Sequence, residues 1–266
     1  MRWYTIYALR PSHGKTVAKT AWAYVARANI GEKALIIDFH SHIIPGIDDG
    51  SRDVETSLEM LRRSAGQGVG TMVATSHFYA ARDRVEDFLD RRQRAWESLA
   101  AQMTEDLPRV VLGAEVAFFR GIEGAAQIDA LRIQGTNAML LEMPFRPWTQ
   151  EDVDAVDALI NRRGFDIILA HIERYLPMRD NRRYVDQLLE MPLRVQINAE
   201  SLADWRQRGK LIRMYKDGHA HLLGSDCHGL HRRPPNLNLG REALERKLGK
   251  AFLDEMDRAG EQILLG

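Results

Sequence analysis

Disulfide chemistry is closed to this chain, which carries a single cysteine, Cys227, in 266 residues. With no internal framework to oxidise, the expected compartment is a reducing one. Charge of a dominant sign is missing too: 37 Lys and Arg balance 37 Asp and Glu. That balance removes the global field by which a basic protein holds nucleic acid or an anionic membrane, so any anion must be gripped locally. No apolar run approaches the ~20 residues that span a bilayer, and no apolar segment followed by a small-residue cleavage site marks a secretory signal. Repeats, low-complexity tracts and Pro/Gly/Ser-rich linkers are absent as well. These absences predict a soluble, cytoplasmic protein without membrane insertion, and the 45% hydrophobic content suffices for a substantial core.

The chain opens on a stretch unlike the rest. Arg2, Arg10, Lys15, Lys19, Arg27 and Lys33 precede or surround the first acid, Glu32. HGKT, His13 to Thr16, has the Gly-Lys-Thr of a phosphate-binding loop but lacks its leading glycine and a preceding strand, so it is set aside. Residues 1–34 therefore read either as a peripheral extension, partly helical around Thr16 to Ala28, or as the product of a start codon placed too far upstream.

From residue 35 to 266, short apolar runs alternate with amphipathic stretches. The runs are LIIDF (35–39), TMVAT (71–75), RVVLGAEV (109–116), AMLLEM (138–143), DIILAH (166–171), RVQIN (194–198) and HLLGSD (221–226). Each is of strand length and most are almost wholly apolar, which fits parallel strands covered on both faces. Helical patterns fall between them, over 54–67, 84–104, 149–163, 181–190 and 201–216, with a last one over 240–259. Such alternation without a linker predicts one α/β domain, built as a barrel or a doubly wound sheet.

Histidines and carboxylates gather at the ends of these runs. His40 and His42 follow the first, His77 the second, Glu115 ends the third, His171 the fifth, and Asp226 and His228 the seventh. In a barrel, the C-terminal strand ends converge on one face, where active sites are built. Residues i and i+2 of an extended segment point the same way, so His40 with His42, and Asp226 with His228, can each grip one ion together. A mixed His/Asp/Glu set favours a multinuclear hydrolytic centre. His219 and His221 precede a strand and read as structural; His231 reads as a rim residue. Cys227 and Arg233 also match the C-x5-R spacing of thiolate phosphatases, but an extended backbone would turn Cys227 away from its neighbours. Pro234 and Pro235 supply no N–H for a phosphate loop. The match is read as coincidence.

HSHIIPGIDDGS (40–51), with ATSHF, LGAEV, LLEMPF, AHIERY and GSDCHGLHRRPP in that order, resembles the PHP-superfamily bacterial protein-tyrosine phosphatases of the CpsB/CapC type, found with capsule and exopolysaccharide genes. The resemblance covers residues 35–266; the N-terminal extension departs from it. It implies a distorted seven-stranded (β/α) TIM-like barrel holding three divalent ions, usually Mn, with Mg, Fe or Zn as alternatives. Carried over by position, the metal ligands are His40, His42, Asp49, His77, Glu115, His171, Asp226 and His228. Asp49 is favoured over Asp48, and Glu142 matches a family position as an alternative ligand or a supporting carboxylate, its plain structural alternative being a barrel-mouth carboxylate that pairs with Arg174. Arg174 and Arg233 are the implied phosphate-binding residues, and Arg232 is expected to face outward. The implied reaction is hydrolysis of phosphotyrosine by a metal-bridging hydroxide, with the tyrosine-phosphorylated tail of a bacterial tyrosine kinase as substrate. Phe78, Tyr79, Phe145, Trp148 and Tyr175 are candidates for a rim that accepts the tyrosyl ring. Two alternatives stay open: a PHP phosphoesterase acting on a small metabolite such as histidinol phosphate, and a non-catalytic module that docks a kinase.

Overall fold

The computed structural model describes residues 36–266. The basic extension and its HGKT stretch lie outside the described residues. Each apolar run becomes a strand: β1 (Ile36–Ser41), β2 (Val69–Ala74), β3 (His77–Phe78), β4 (Arg109–Leu112), β5 (Glu115–Ala117), β6 (Ala138–Glu142), β7 (Asp166–Leu169), β8 (Arg194–Asn198) and β9 (Leu222–Gly224). All pairings are parallel, in the orders β1-β2-β4 and β3-β5-β6-β7-β8-β9. One expected strand is interrupted, and another is followed by a short segment past its expected end. The run 109–116 breaks at Gly113 and Ala114 into β4 and β5, and β2 resumes as β3 after Thr75 and Ser76. The breaks lie side by side, since Gly113 N–H donates to Ala74 O at 2.8 Å and Glu115 N–H to Ser76 O at 3.1 Å. Beyond β9, a parallel bridge joins Ser41 to Cys227, and Asp226 N–H donates to His40 O at 2.7 Å.

Alternate strand residues serve two cores, which is why most of the runs are almost wholly apolar. Ile37, Phe39, Val73, Val111, Ala138, Leu140, Ile168 and Leu222 share an inner cluster, whereas Met139, Leu141, Ile167 and Leu169 join the larger one.

The helices are α1 (Val54–Gly66), α2 (Val85–Ala100), α3 (Gln150–Asn161), α4 (Arg182–Leu189), α5 (Arg208–Lys216), α6 (Leu237–Leu248) and α7 (Lys250–Leu265). Asp53 caps α1 by accepting Thr56 N–H at 2.8 Å, and Thr149 with Asp152 forms a capping box on α3. Two expected helices differ. The pattern over 201–216 divides into a 3-10 turn, Ala199–Leu202, and α5; the last one divides at Gly249, whose φ of 88° takes the chain out of helical geometry. Among the described residues no helix is long and apolar enough to cross a membrane.

Candidate metal centre

Strand ends, the breaks before β3 and β5, and the loop after β1 bring every predicted ligand to one place. Glu115, at the start of β5, is the hub: its Oε2 lies 3.2, 3.3 and 2.9 Å from His40 Nε2, His42 Nε2 and His77 Nδ1, while Oε1 lies 2.8 Å from His171 Nε2. Asp226 Oδ1 approaches both His40 Nε2 and His42 Nε2 to 3.5 Å. Asp49, 70% exposed, reaches out from the loop so that Oδ1 is 3.5 Å from His77 Nε2 and from His228 Nε2. Glu142 Oε1 is 3.5 Å from His171 Nε2. These side chains form overlapping groups able to hold a metal ion: His42, Asp49, His77 and His228; His40, His171 and Asp226; His40, His42 and Glu115; His77, Glu115 and Glu142.

The donors fit divalent ions on their own chemistry. His77 Nδ1, Glu115 Oε2, His171 Nδ1 and Asp226 Oδ1 are buried without a hydrogen-bond partner, and all four belong to residues of the metal-competent groups. An unsatisfied buried polar atom costs about 1–3 kcal/mol, and four in one cluster point to a missing common partner. Imidazole nitrogen with carboxylate oxygen is a donor set for Mn, Fe or Zn. Burial opposes charge on Glu115, yet charge on His40 and the hydrogen bond from His171 outweigh it and hold the carboxyl well below its usual range. Burial, followed by the charges of His42 and Arg233, pushes His228 down to about 4, leaving a neutral imidazole fit to coordinate.

A second layer aims these ligands. Asp48 accepts from His42 Nδ1 at 2.8 Å and from His77 N–H at 2.9 Å; burial works against its charge, but the His42 contact holds it at about 2. Asp48 therefore orients the candidate ligand His42, whereas Asp49 joins a metal-competent group. On β8, Gln196 Oε1 accepts from His40 Nδ1 at 3.1 Å and from His171 N–H at 2.9 Å, and Asn198 Nδ2 donates to Asp226 Oδ2 at 2.8 Å. Sequence reasoning passed over both, although amides at i and i+2 of a strand end repeat the spacing of His40 with His42. Glycine is required at two crossings: a Cβ on Gly50 would lie 2.4 Å from His42 Cβ, and one on Gly224 2.5 Å from His40 Cβ.

Arg174 Nη2 donates to Asp226 Oδ2 at 2.5 Å, and Arg233 pairs with the same carboxylate while its Nη1 lies 3.0 Å from His228 Nε2. Arg174 thus meets Asp226 rather than pairing with Glu142. A cleft of about 660 Å³ opens beside them, lined by Asp49, Arg52, His228, His231, Arg232 and Arg233, with His231 and Arg232 exposed. His221 is structural as expected, its Nδ1 accepting from Val195 N–H at 3.1 Å. The expected extended geometry around Cys227 is corrected: Asp226 is left-handed, with φ 51°, because its N–H bonds β1 while its carboxylate turns to the two arginines. Cys227 is buried nonetheless, and burial drives its thiol pKa well up, out of the nucleophilic range. The aromatic rim is corrected as well, since Phe78, Trp148 and Tyr175 are buried in the core and only Tyr79 and Phe145 reach the surface.

With this geometry in hand, comparison with known proteins is informative. The family model for capsular polysaccharide synthesis proteins of the CpsB/CapC type matches residues 36–265. The tyrosine-protein phosphatase CpsB of Streptococcus pneumoniae is 27% identical over 236 residues, covering 83% of this chain and 94% of that protein. The tyrosine-protein phosphatase YwqE of Bacillus subtilis is 28% identical over 227 residues, 80% and 85% of the two chains. A chain from the crystal structures of YwqE and CpsB, described as unique metal-dependent tyrosine phosphatases, aligns with a TM-score of 0.70 at 25% identity, over 86% of this chain and 94% of that one. A match running from the first residue of β1 to the last residue of α7 leaves no ambiguity of kinship: this chain belongs to the CpsB/CapC family.

Proposed function

We infer that the protein is a metal-dependent protein-tyrosine phosphatase, a phosphoric monoester hydrolase serving capsule or exopolysaccharide synthesis. The observation that carries this reading is the convergence of imidazoles and carboxylates from separate strand ends around Glu115, with two arginines on Asp226 at its margin. The similar proteins named tyrosine-protein phosphatases support it. His40, His42, Asp49, His77, Glu115, His171, Asp226 and His228 would hold the ions, three in number and Mn first among the candidates, with Glu142 completing one group. When bound, divalent ions supply Lewis-acid charge and lower the pKa of water enough for attack on phosphorus at neutral pH.

The chain's own residues do the rest. Arg174 and Arg233, 32% and 34% exposed, keep N–H donors beyond those spent on Asp226, and these meet the phosphoryl oxygens as charge builds on them. Asp48, Gln196 and Asn198 hold the ligands in place, and Cys227 takes no part. The architecture we infer is a barrel of seven staves, with β2–β3 and β4–β5 each counted as one interrupted stave, in a domain over 35–266 and a separate extension over 1–34. The proposed substrate is the tyrosine-phosphorylated tail of a bacterial tyrosine kinase, met in the cytoplasm. The test is turnover by metal-reconstituted protein of phosphotyrosyl peptides, histidinol phosphate and oligonucleotides, beside His40→Ala. Phosphotyrosyl turnover that His40→Ala abolishes is expected. Equal rates in the two proteins would sink the metal reading, and preference for histidinol phosphate would sink the protein-phosphatase reading.

A further inference from the structure

Phe145 is one of four large hydrophobic side chains left exposed among the described residues, at 58%, and it alone of the four lies at the metal centre. Trp205, Leu239 and Leu265 sit in or just before α5, α6 and α7. A lone exposed apolar residue is ordinary. What sets Phe145 apart is the loop that carries it. Tyr175 Oη donates to Met143 O at 2.6 Å, Trp148 Nε1 to Pro144 O at 2.9 Å, and Asn181 Nδ2 to Arg146 O at 3.1 Å. Arg146 itself grips Asp152 through two bonds of 2.7 and 2.8 Å. Every residue around Phe145 is tied down, and the ring is held out.

The ring is also oriented. It stacks on Tyr175 at 5.0 Å and 27°, and on the imidazole of His171 at 6.3 Å and 24°. Tyr175 and His171 are themselves 6.1 Å apart, so the ring rests on a packed pair while 58% of the residue stays open to solvent. Trp148 backs Tyr175 at 5.1 Å. Tyr79 offers no equivalent surface, because its ring stacks on His77 and carries the Arg82 guanidinium 4.8 Å from its centroid.

We propose that Phe145 is a specificity-determining residue whose exposed ring receives the aromatic ring of an aryl phosphate ester as the phosphoryl group meets Arg174 and the metal centre. The proposal rests on the phosphatase reading and adds to it the means of preferring aryl over alkyl esters, hence phosphotyrosine over phosphoserine. A stacked ring pair supplies discrimination that no charge contact with phosphate can, because the phosphate is common to both esters.

The test compares kcat/KM for phosphotyrosyl and phosphoseryl peptides of one sequence in wild type, Phe145→Ala and Phe145→Tyr. Calorimetric binding of phenylphosphonate and methylphosphonate to the metal-loaded proteins gives a readout free of turnover. The aryl-to-alkyl ratio should fall about tenfold in Phe145→Ala on both measures and persist in Phe145→Tyr, which keeps the ring. A ratio in Phe145→Ala equal to that of wild type would overturn the proposal, as would a wild type that takes both esters equally well. A metal-loaded wild type that hydrolyses neither ester would sink the phosphatase reading instead, and phenylphosphonate binding would then judge the platform by itself.

Discussion

Within GSDCHGLHRRPP, neighbouring residues divide three tasks, and burial with backbone conformation decides which takes which. Asp226 and Arg233 adopt φ values of 51° and 52°, and His171 one of 31°, so three of the four left-handed non-glycine residues described lie in the candidate site. Such backbone costs of order 1–3 kcal/mol each and persists where surrounding contacts over-determine it. Here the contacts are the Asp226–Arg174 and Asp226–Arg233 pairs and the β1 hydrogen bond. Cys227 has no such partner in chemistry: it is buried, and its thiol stays protonated. Cys227→Ser should therefore retain phosphatase activity within about twofold, at a stability cost of about 1 kcal/mol. Asp226→Ala, which would lose a metal ligand, and Arg233→Ala, which removes charge that meets the transition state, should each lower kcat by about 10²-fold or more. Steady-state assays of the three variants decide the matter; a dead serine variant with its metal content intact would restore the cysteine as nucleophile.

At the scale of the element, β8 illustrates what a sequence makes legible and what it conceals. RVQIN is read correctly as a strand from its length and its place in the alternation of runs and helices, and its bounds are those observed, Arg194–Asn198. The clustering of the candidate ligands was legible for a related reason: His and carboxylate side chains recurring at the ends of several runs must meet where those ends converge. Gln196 and Asn198 were not, because an amide at a strand end is equally an ordinary polar terminus until its partners are known. The breaks at Gly113 and Gly249 were hidden as well, since apolar and amphipathic periodicity runs through them while the hydrogen bonds or the φ angle do not. The rim was misjudged because aromatic residues in a loop carry no sign of whether they turn inward, as Trp148 and Tyr175 do. From the observed contacts, Gln196 fixes the proton of His40 on Nδ1 and turns Nε2 to the centre. Gln196→Ala should weaken divalent-ion binding about 10- to 100-fold, the range seen when a ligand loses the partner that orients it. Calorimetric titration of the chelated, then refilled, protein measures this directly; affinity equal to wild type would reduce Gln196 to a packing role.

Over the whole molecule, the same cluster proposed to perform the chemistry is a defect in the fold unless something binds it. Buried Glu115, Asp226 and His171 carry polar atoms without hydrogen-bond partners, drawn from β5, β7 and β9 and their following turns, so the penalty is shared by strands across the sheet. Ions that satisfy these atoms bind the native state and not the dispersed ligands of the unfolded chain, and folding stability then rises with metal concentration. At a free metal concentration 100 times Kd, one site contributes about 2.7 kcal/mol. For a domain of this size each kcal/mol moves Tm by about 2–4 °C, so Mn should raise Tm by about 5–10 °C over the chelated protein. In His40→Ala most of that rise should vanish, because His40 belongs to two of the metal-competent groups. Gln196→Ala, in contrast, should recover the shift when metal is raised in proportion to its weakened affinity, which separates loss of a ligand from loss of its support. Differential scanning calorimetry across a metal titration distinguishes these cases. A Tm indifferent to Mn, Mg, Fe and Zn alike would mean that the carboxylates and imidazoles satisfy one another as a purely structural knot, and the catalytic assignment of the strand ends would fall with it.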